Sequence, residues 1–410
     1  MSVLVDPPAW PAHGLLWSHL VSDHSLDELH AFAARVGVPR QGFDRDHYDV
    51  PAQAYDRVVA TGAEAVPSRE LLARLRGAGL RQRRAETPGR RKPGQALLRP
   101  PRLRPGSTVA VVAPAGPVPA DRLEHGLAVL HEWGLRVRFA DHVAGQDPAL
   151  PHLAGSDADR AADLVTNWTD AGVDAVWCAR GGYGCHRIVD RLDYTAMAAV
   201  PPRLLVGFSD VTALHEAVAT RLGLVSLHAP VLTSLADAPA AGREHLRRLL
   251  FEPADVDELF PDVRLRVVAA GSAAGVLVGG NLRVLTASIG TRLARPGRGG
   301  IVVLEDIDEE PYRIDGMLTH LLRSGWFDQV RGVVAGAFTA GATSTGTAAA
   351  TIDPAAVDAV LADRLGPLGV PVVSGAPVGH VADNRSVPLG VPARLDADAG
   401  TVHLTGPALS

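Results

Sequence analysis

Residues 203–215 read RLLVGFSDVTALH, and the turn in their middle decides how the rest of the chain is read. Leu204, Leu205 and Val206 form a short apolar run that suits a buried strand, and Val211 to Leu214 open a helix. Between them stand Gly207, Phe208, Ser209 and Asp210, with no proline and no ordinary loop. A strand that turns directly into a helix belongs to a sheet with helices on its faces. In such sheets ligands collect outside the carboxyl ends of the strands, where Ser209 would project its hydroxyl. The amide of Asp210 opens the helix and can donate to a developing oxyanion. GFSDV is not a full GxSxG elbow, because Val211 replaces the second glycine, and a helix cap made by Ser209 or Asp210 is the competing reading.

Working outward, strands and helices alternate. TVAVVAPAGPV (108–118) is a strand and turn, DRLEHGLAVLHEWG (121–134) an amphipathic helix closed by Gly134, and RVRFA (136–140) a second strand. AADLVTNWTDAG (161–172) is a helix, and VDAVWCA (173–179) a third strand running into RGGYG. This alternation predicts an α/β fold whose first part is a Rossmann-like parallel sheet covered on both faces. Residues 236–262 read as helical and connecting. Beyond them AAGVLVGG, GGIVVLEDID, GVVAGAF and VPVVSGAPVGH predict a strand-rich C-terminal subdomain. The expected division is therefore 107–235, 236–262 and 263–410.

The segment before residue 107 differs in character. Residues 81–106 carry five prolines and eight arginines without periodicity, the composition of a linker. Residues 1–80 form a separate N-terminal module, small α/β or mostly helical. Within it SLDELHAFAARVG has Ser25 and Glu28 at capping-box spacing, Gly37 past the end, and Leu29, Phe32, Ala33 and Val36 on one face. A second helix is expected over Ser68 to Arg76, ended by Gly77.

Composition narrows the function. The net charge of −5 and the short basic stretch 81–92 give no footprint for nucleic acid. No uninterrupted apolar run is long enough for a membrane span, and the N-terminus lacks a signal-peptide pattern, so a cytoplasmic protein is expected. Cys178 and Cys185, the only two cysteines, match neither a redox nor a zinc spacing.

Serine needs a base to take its proton, and the base needs an orienting acid. Two other predicted strand ends supply candidates. GGIVVLED places Glu305 after four apolar residues, and VVSGAPVGH places His380 after a glycine-rich turn. Taken singly, Glu305 also suits an ion pair or a cap, and His380 a loop histidine. A fourth element, CARGGYGCHRIVDRLD, sets Gly181, Gly182 and Gly184 between strand and helix, where backbone amides can point at an anion. Neither GxGxxG nor GxxxxGK[ST] is present, so nothing here singles out a nucleotide, and an oxyanion hole or a carboxylate-binding nest fits equally well.

Six stretches in order carry a resemblance: APAGPV (113–118), ARGGYG (179–184), GFSDVTALH (207–215), GGNLRVL (279–285), LEDIDEEPYRIDGMLTHL (304–321) and PVGHVADNRSVPLG (377–390). Together they resemble the LD-carboxypeptidase family, also called muramoyltetrapeptide carboxypeptidases, over about residues 106–408. The resemblance implies a cytoplasmic serine peptidase with no cofactor and no catalytic metal. Its substrate would be a small peptide, the murein tetrapeptide, cleaved before the terminal D-alanine in peptidoglycan recycling. Two subdomains with the site between them, and a homodimer, are also implied. By position Ser209 would be nucleophile, Glu305 acid and His380 base, with Asp210 and the pair Gly181 and Gly182 supplying oxyanion amides. The family often has arginine where this chain has Gly316, and glycine where it has Val381. Two alternatives stand beside this reading. One is a self-immunity peptidase for a microcin C-like peptide–nucleotide antibiotic; the other is a non-catalytic module binding a small anion.

The first 80 residues resemble a small bacterial family of unknown function through VDPP, WSHLVSD, ELHAFAARVG and HYDVP. His19, Asp23, His30, His47 and Asp49 are the residues there most able to carry chemistry, and neutral imidazole with carboxylate suits divalent ions. Nothing in their spacing fixes four ligands. The expectation is accordingly a helical accessory module with surface histidines and no metal.

Overall fold

The computed structural model describes residues 2–12, 15–44, 46–80, 96–340 and 352–410. The chain divides into two units, Met1–Glu86 and Thr87–Ser410.

The first unit is built on a sheet. Its strands are β1 (Val3–Val5), β2 (Trp10–Ala12), β3 (Leu15–Ser22), β4 (Phe43–Asp44), β5 (His47–Pro51) and β6 (Glu64–Ala65). Their order is β4-β5-β3-β1-β6, with β2 paired to β3. The helices are α1 (Leu26–Val36), α2 (Tyr55–Ala60) and α3 (Ser68–Gly77). Side chains alternate across each strand. Leu20, Tyr48 and Val50 meet Leu29, Phe32 and Val36 of α1 on one face. Leu4 and Val21 meet Leu71 and Leu75 of α3 on the other. The module is thus α/β, and the mostly helical expectation is corrected. The strands escaped notice because most span two to five residues and β3 interrupts its apolar run with Ser18 and His19. At α1 the cap forms as expected, Glu28 N donating to Ser25 Oγ over 3.1 Å. The Glu28 carboxylate, however, accepts from Ser22 Oγ at 2.5 Å.

The second unit carries two sheets. The first contains β7 (Thr108–Val112), β8 (Arg136–Phe139), β9 (Ala175–Cys178), β10 (Leu204–Gly207) and β11 (Ser226–His228). The second contains β12 (Arg266–Ala269), β13 (Ser272–Asn281), β14 (Gly300–Ile307), β15 (Gly332–Thr339) and β16 (Val372–Ser374). Next in the chain come β17 (Val387–Leu389), β18 (Pro392–Asp396) and β19 (Thr401–Leu404). The first sheet runs β17-β11-β10-β9-β7-β8, parallel except for β17. The second runs β12-β16-β15-β14-β13-β18-β19, with β13 to β16 parallel and the outer strands antiparallel. The fold is α/β with mixed sheets. β17 comes late in the chain yet edges the first sheet, so the chain returns to that sheet and leaves it again.

Part of the expected linker is not one. Residues 81–95 lie outside the described residues, but 96–106 pack into the second unit. Leu97 and Leu103 are buried in its core. Leu98 N donates to Gly223 O and Leu98 O accepts from Val225 N, both at 2.8 Å. Proline and arginine density hid two leucines that belong to the core. Among the described residues, no helix is long and apolar enough to cross a membrane.

Candidate active site

The strand β10 ends at Gly207, and the chain turns at once. Phe208 is extended at φ −151°, Ser209 follows at φ +63°, and a short 3-10 turn over Ser209–Val211 leads into a helix at Thr212–Ala217. Few L-residues hold a positive φ, and here it turns the hydroxyl out of the sheet. The turn is tight enough to require Gly207. A Cβ there would come within 3.1 Å of Cys178 Cβ and 3.0 Å of Val211 Cγ1.

β14 delivers Glu305 next to its carboxyl end, fully buried. The loop after β16 brings in His380. His380 Nδ1 lies 2.7 Å from Glu305 Oε2, and its Nε2 lies 3.0 Å from Ser209 Oγ. With a carboxylate at Nδ1, that nitrogen carries the proton, and Nε2 is the basic one facing the serine. Burial works against a charged imidazole, but the hydrogen bond and charge of Glu305, with Asp306 and Asp308 adding, outweigh it. His380 is therefore held above its ordinary value. Phe208 packs on the ring, with centroids 4.8 Å apart.

The glycine loop completes the floor. Gly181 lies against the serine, where a Cβ would sit 3.1 Å from Ser209 Cβ and 3.2 Å from its Oγ. Gly182 and Gly184 hold φ values of +110° and +138°. The Asp210 carboxylate accepts from Cys185 N at 2.8 Å, tying this loop to the elbow. Burial raises Asp210 above the usual carboxylate range, although the bonds from Cys185 oppose it. A cavity of about 550 Å³ opens beside His380, with Phe338, Thr339, Val381 and Asp383 in its walls. Val381 thus flanks the site, whereas Gly316 is on the helix Pro311–Arg323, with nothing within 4 Å of a Cβ built on it.

Several contributing residues escaped the sequence reading. Arg160 is buried on the inner face of the helix Asp157–Thr169, and its Nη1 donates to Pro114 O and Gly184 O. It thereby joins the 113–118 loop to the glycine loop. An arginine one position before Ala161 and four before Leu164, on an otherwise apolar stripe, was the available signal. Asn281, at the end of β13, ties the second sheet to the helix after the elbow: its N donates to Thr212 Oγ1 at 3.0 Å and its Nδ2 to Asp306 Oδ1 of β14 at 3.0 Å. Gly280 permits this approach, since a Cβ there would lie 2.5 Å from Thr212 Oγ1. Burial, then the charge of adjacent Glu305, pushes Asp306 up to about 7. Cys178 and Cys185 are both free and buried.

In the first unit the five candidate residues separate. Asp23 pairs with Arg74 at 2.6 Å, and His30 meets the Tyr48 hydroxyl at 2.8 Å on the α1 face. His19, His47 and Asp49 come together on the opposite face.

Comparison with known proteins agrees with the layout. The LD-carboxypeptidase N-terminal domain matches residues 109–229 and the LD-carboxypeptidase C-terminal domain residues 274–395. Residues 3–78 match a protein family of unknown function. A Streptomyces coelicolor protein with a provisional carboxypeptidase name is 51% identical over 76% of this chain and 98% of its own length. The murein tetrapeptide carboxypeptidase of Pseudomonas aeruginosa is 33% identical over 71% of this chain and 93% of its own. The solved structure of the microcin C7 self-immunity protein shares the fold, with a TM-score of 0.65 at 20% identity over 76% of this chain and all of that one. The chain belongs to the LD-carboxypeptidase family and is a serine-type carboxypeptidase acting on small peptides, joined to an N-terminal accessory domain.

Proposed function

We propose that this protein removes the terminal D-alanine from murein tetrapeptides by cleaving the L,D-peptide bond, and that Ser209, His380 and Glu305 do the chemistry. The observation that carries the reading is the unbroken chain of contacts from Ser209 Oγ through His380 to Glu305, at 3.0 and 2.7 Å, with the serine on a strained elbow. Ser209 Oγ attacks the scissile carbonyl while His380 Nε2 accepts its proton. The tetrahedral oxyanion is held by the amide of Asp210 and an amide of the Gly181 and Gly182 pair. Collapse breaks the peptide bond, and His380 returns the proton to the leaving amine of D-alanine. Water then attacks the acyl-enzyme with His380 again as base, releasing the tripeptide and the free serine. Glu305, 2.7 Å from His380 Nδ1, fixes the imidazole tautomer and orientation and stabilises the imidazolium that forms.

In this reading residues 107–235 form a Rossmann-like half that carries the nucleophile, and 263–410 carry acid and base. The protein acts as a cytoplasmic homodimer in peptidoglycan recycling. What supports murein tetrapeptide over another small peptide is the likeness to the Pseudomonas aeruginosa enzyme across nearly its whole length. The test is incubation with purified murein tetrapeptide, read by mass. Loss of one alanine residue is expected; an untouched tetrapeptide with a folded enzyme overturns the substrate.

A further inference from the structure

The N-terminal unit carries a feature that peptide hydrolysis does not use. β3 and β5 pair so that His19 stands opposite Asp49, and His47 lies two residues before Asp49 on the same face. That face is the one α3 covers through Val21, Leu71 and Leu75. One donor atom from each of His19, His47 and Asp49 falls within 4.8 Å of the other two. A tetrahedral zinc ion with bonds of about 2.1 Å wants its donors about 3.4 Å apart. Closing to that spacing asks for small side-chain adjustments, and Asp49, about half exposed and 3.6 Å from His47 Nε2, has room to make its share.

Each histidine is held from behind by a buried acid. Asp6, fully buried, accepts from His19 Nδ1 at 3.1 Å, from His19 N at 2.5 Å and from Ser68 Oγ at 2.7 Å. Asp46, also buried, lies 2.7 Å from His47 Nδ1. A carboxylate at Nδ1 makes Nε2 the lone-pair nitrogen, and carboxylate–histidine pairs of this kind are the usual support of a metal-binding imidazole. His47 Nε2 indeed faces Asp49, 3.6 Å from its Oδ1. Both histidines also line a cavity of about 280 Å³, closed on its other sides by Trp10, Val21, Leu71 and Leu75.

We propose that His19, His47 and Asp49 bind a divalent transition-metal ion of the zinc class, held by two imidazoles and one carboxylate, with its remaining position open to that cavity. Two nitrogens and one oxygen suit zinc or cobalt better than magnesium or calcium, which take oxygen ligands. Three protein ligands with a vacant position describe a site that can take water or a small ligand from the cavity, rather than a closed structural knot. The site lies wholly within the first unit and rests on none of the residues assigned to peptidase chemistry.

The test uses the untagged full-length chain, stripped with chelator and titrated calorimetrically with Zn²⁺ and spectroscopically with Co²⁺. One equivalent should bind at micromolar concentration or tighter, and Co²⁺ should develop the visible absorption of a four- or five-coordinate nitrogen and oxygen site. His47→Ala and Asp49→Asn should each weaken binding by more than about 100-fold. Asp46→Asn, which weakens the support behind His47 Nδ1, should cost about 10- to 100-fold. His125→Ala, an exposed histidine on the other unit, should change nothing. Absence of saturable binding, or equal affinity in the folded Asp49→Asn protein, overturns the proposal. Should His47→Ala fail to fold, substitution of the exposed Asp49 tests the same site.

Discussion

Ser209 holds a backbone conformation that costs of order 1–3 kcal/mol, and a plain helix cap would require no such strain. If the strain serves attack, Ser209→Ala should fold normally and lose at least about 10³-fold in kcat. A purified variant retaining a tenth of wild-type turnover would remove Ser209 from the mechanism. As the proposed base, His380 would set the pH dependence. It must be neutral to accept the proton, and its pKa is raised, so kcat/KM should fall with decreasing pH along a limb centred above the ordinary imidazole value of about 6.5. The main favourable cause is Glu305. Glu305→Gln should therefore shift that limb downward while kcat drops, and an unmoved limb would mean that another group titrates. The three residues that the structure brings together could be picked out in the sequence because each is a polar residue close after an apolar run, a place where burial alone would not put it. Gly379 could not. Its φ of +112° and the 2.6 Å between a built Cβ and Glu305 make sense only once the acid and the histidine loop are seen together.

At the scale of elements, the parallel strands of the second unit stood out as runs of valine, leucine and isoleucine, because both faces of such a strand are buried. The short strands of the first unit carried no such run. Their pairing is fixed by long-range partners, β1 with β6 and β3 with β5, which no local pattern encodes. The loops of the site depend on similar distant contacts. Arg160 reaches from the helix Asp157–Thr169 to two loop carbonyls, and Asp157 accepts from its Nη2 and from Arg187. Arg160→Met keeps much of the apolar stem but removes the side-chain donor from Pro114 O and leaves Gly184 O with the Arg187 amide alone. A loss of about 2–4 kcal/mol in stability is expected, by analogy with other broken buried charge networks, together with a rise in KM as the glycine loop loosens. Denaturant melts and steady-state kinetics check the two effects. Unchanged values in both would mean that the loops are held by other bonds.

For the whole molecule, the question is where the peptidase begins. Every residue assigned to its chemistry lies within Thr87–Ser410, and the family domains match only residues 109–395. Chelation should therefore leave tetrapeptide hydrolysis unchanged even if it empties the first unit of metal, and inhibition reversed by zinc would contradict that separation. The boundary itself is sharper than composition suggests. A chain starting at Ala96 keeps Leu97, whose N donates to Gly390 O at 3.0 Å and whose side chain fills the space a Cβ on Gly390 would need. It also keeps Leu103, buried and bonded to Leu250 O. Starting at Arg104 removes both. Truncating one buried leucine to alanine costs about 2–5 kcal/mol, and a domain's whole margin is about 5–15 kcal/mol. The 96–410 chain should fold and cleave tetrapeptide at the full-length rate, whereas 104–410 should melt many degrees lower or precipitate. A folded but inactive 96–410 protein would give the N-terminal unit a part in catalysis. Equal melting temperatures for the two chains would mean that the 96–103 segment lies on the core without stabilising it.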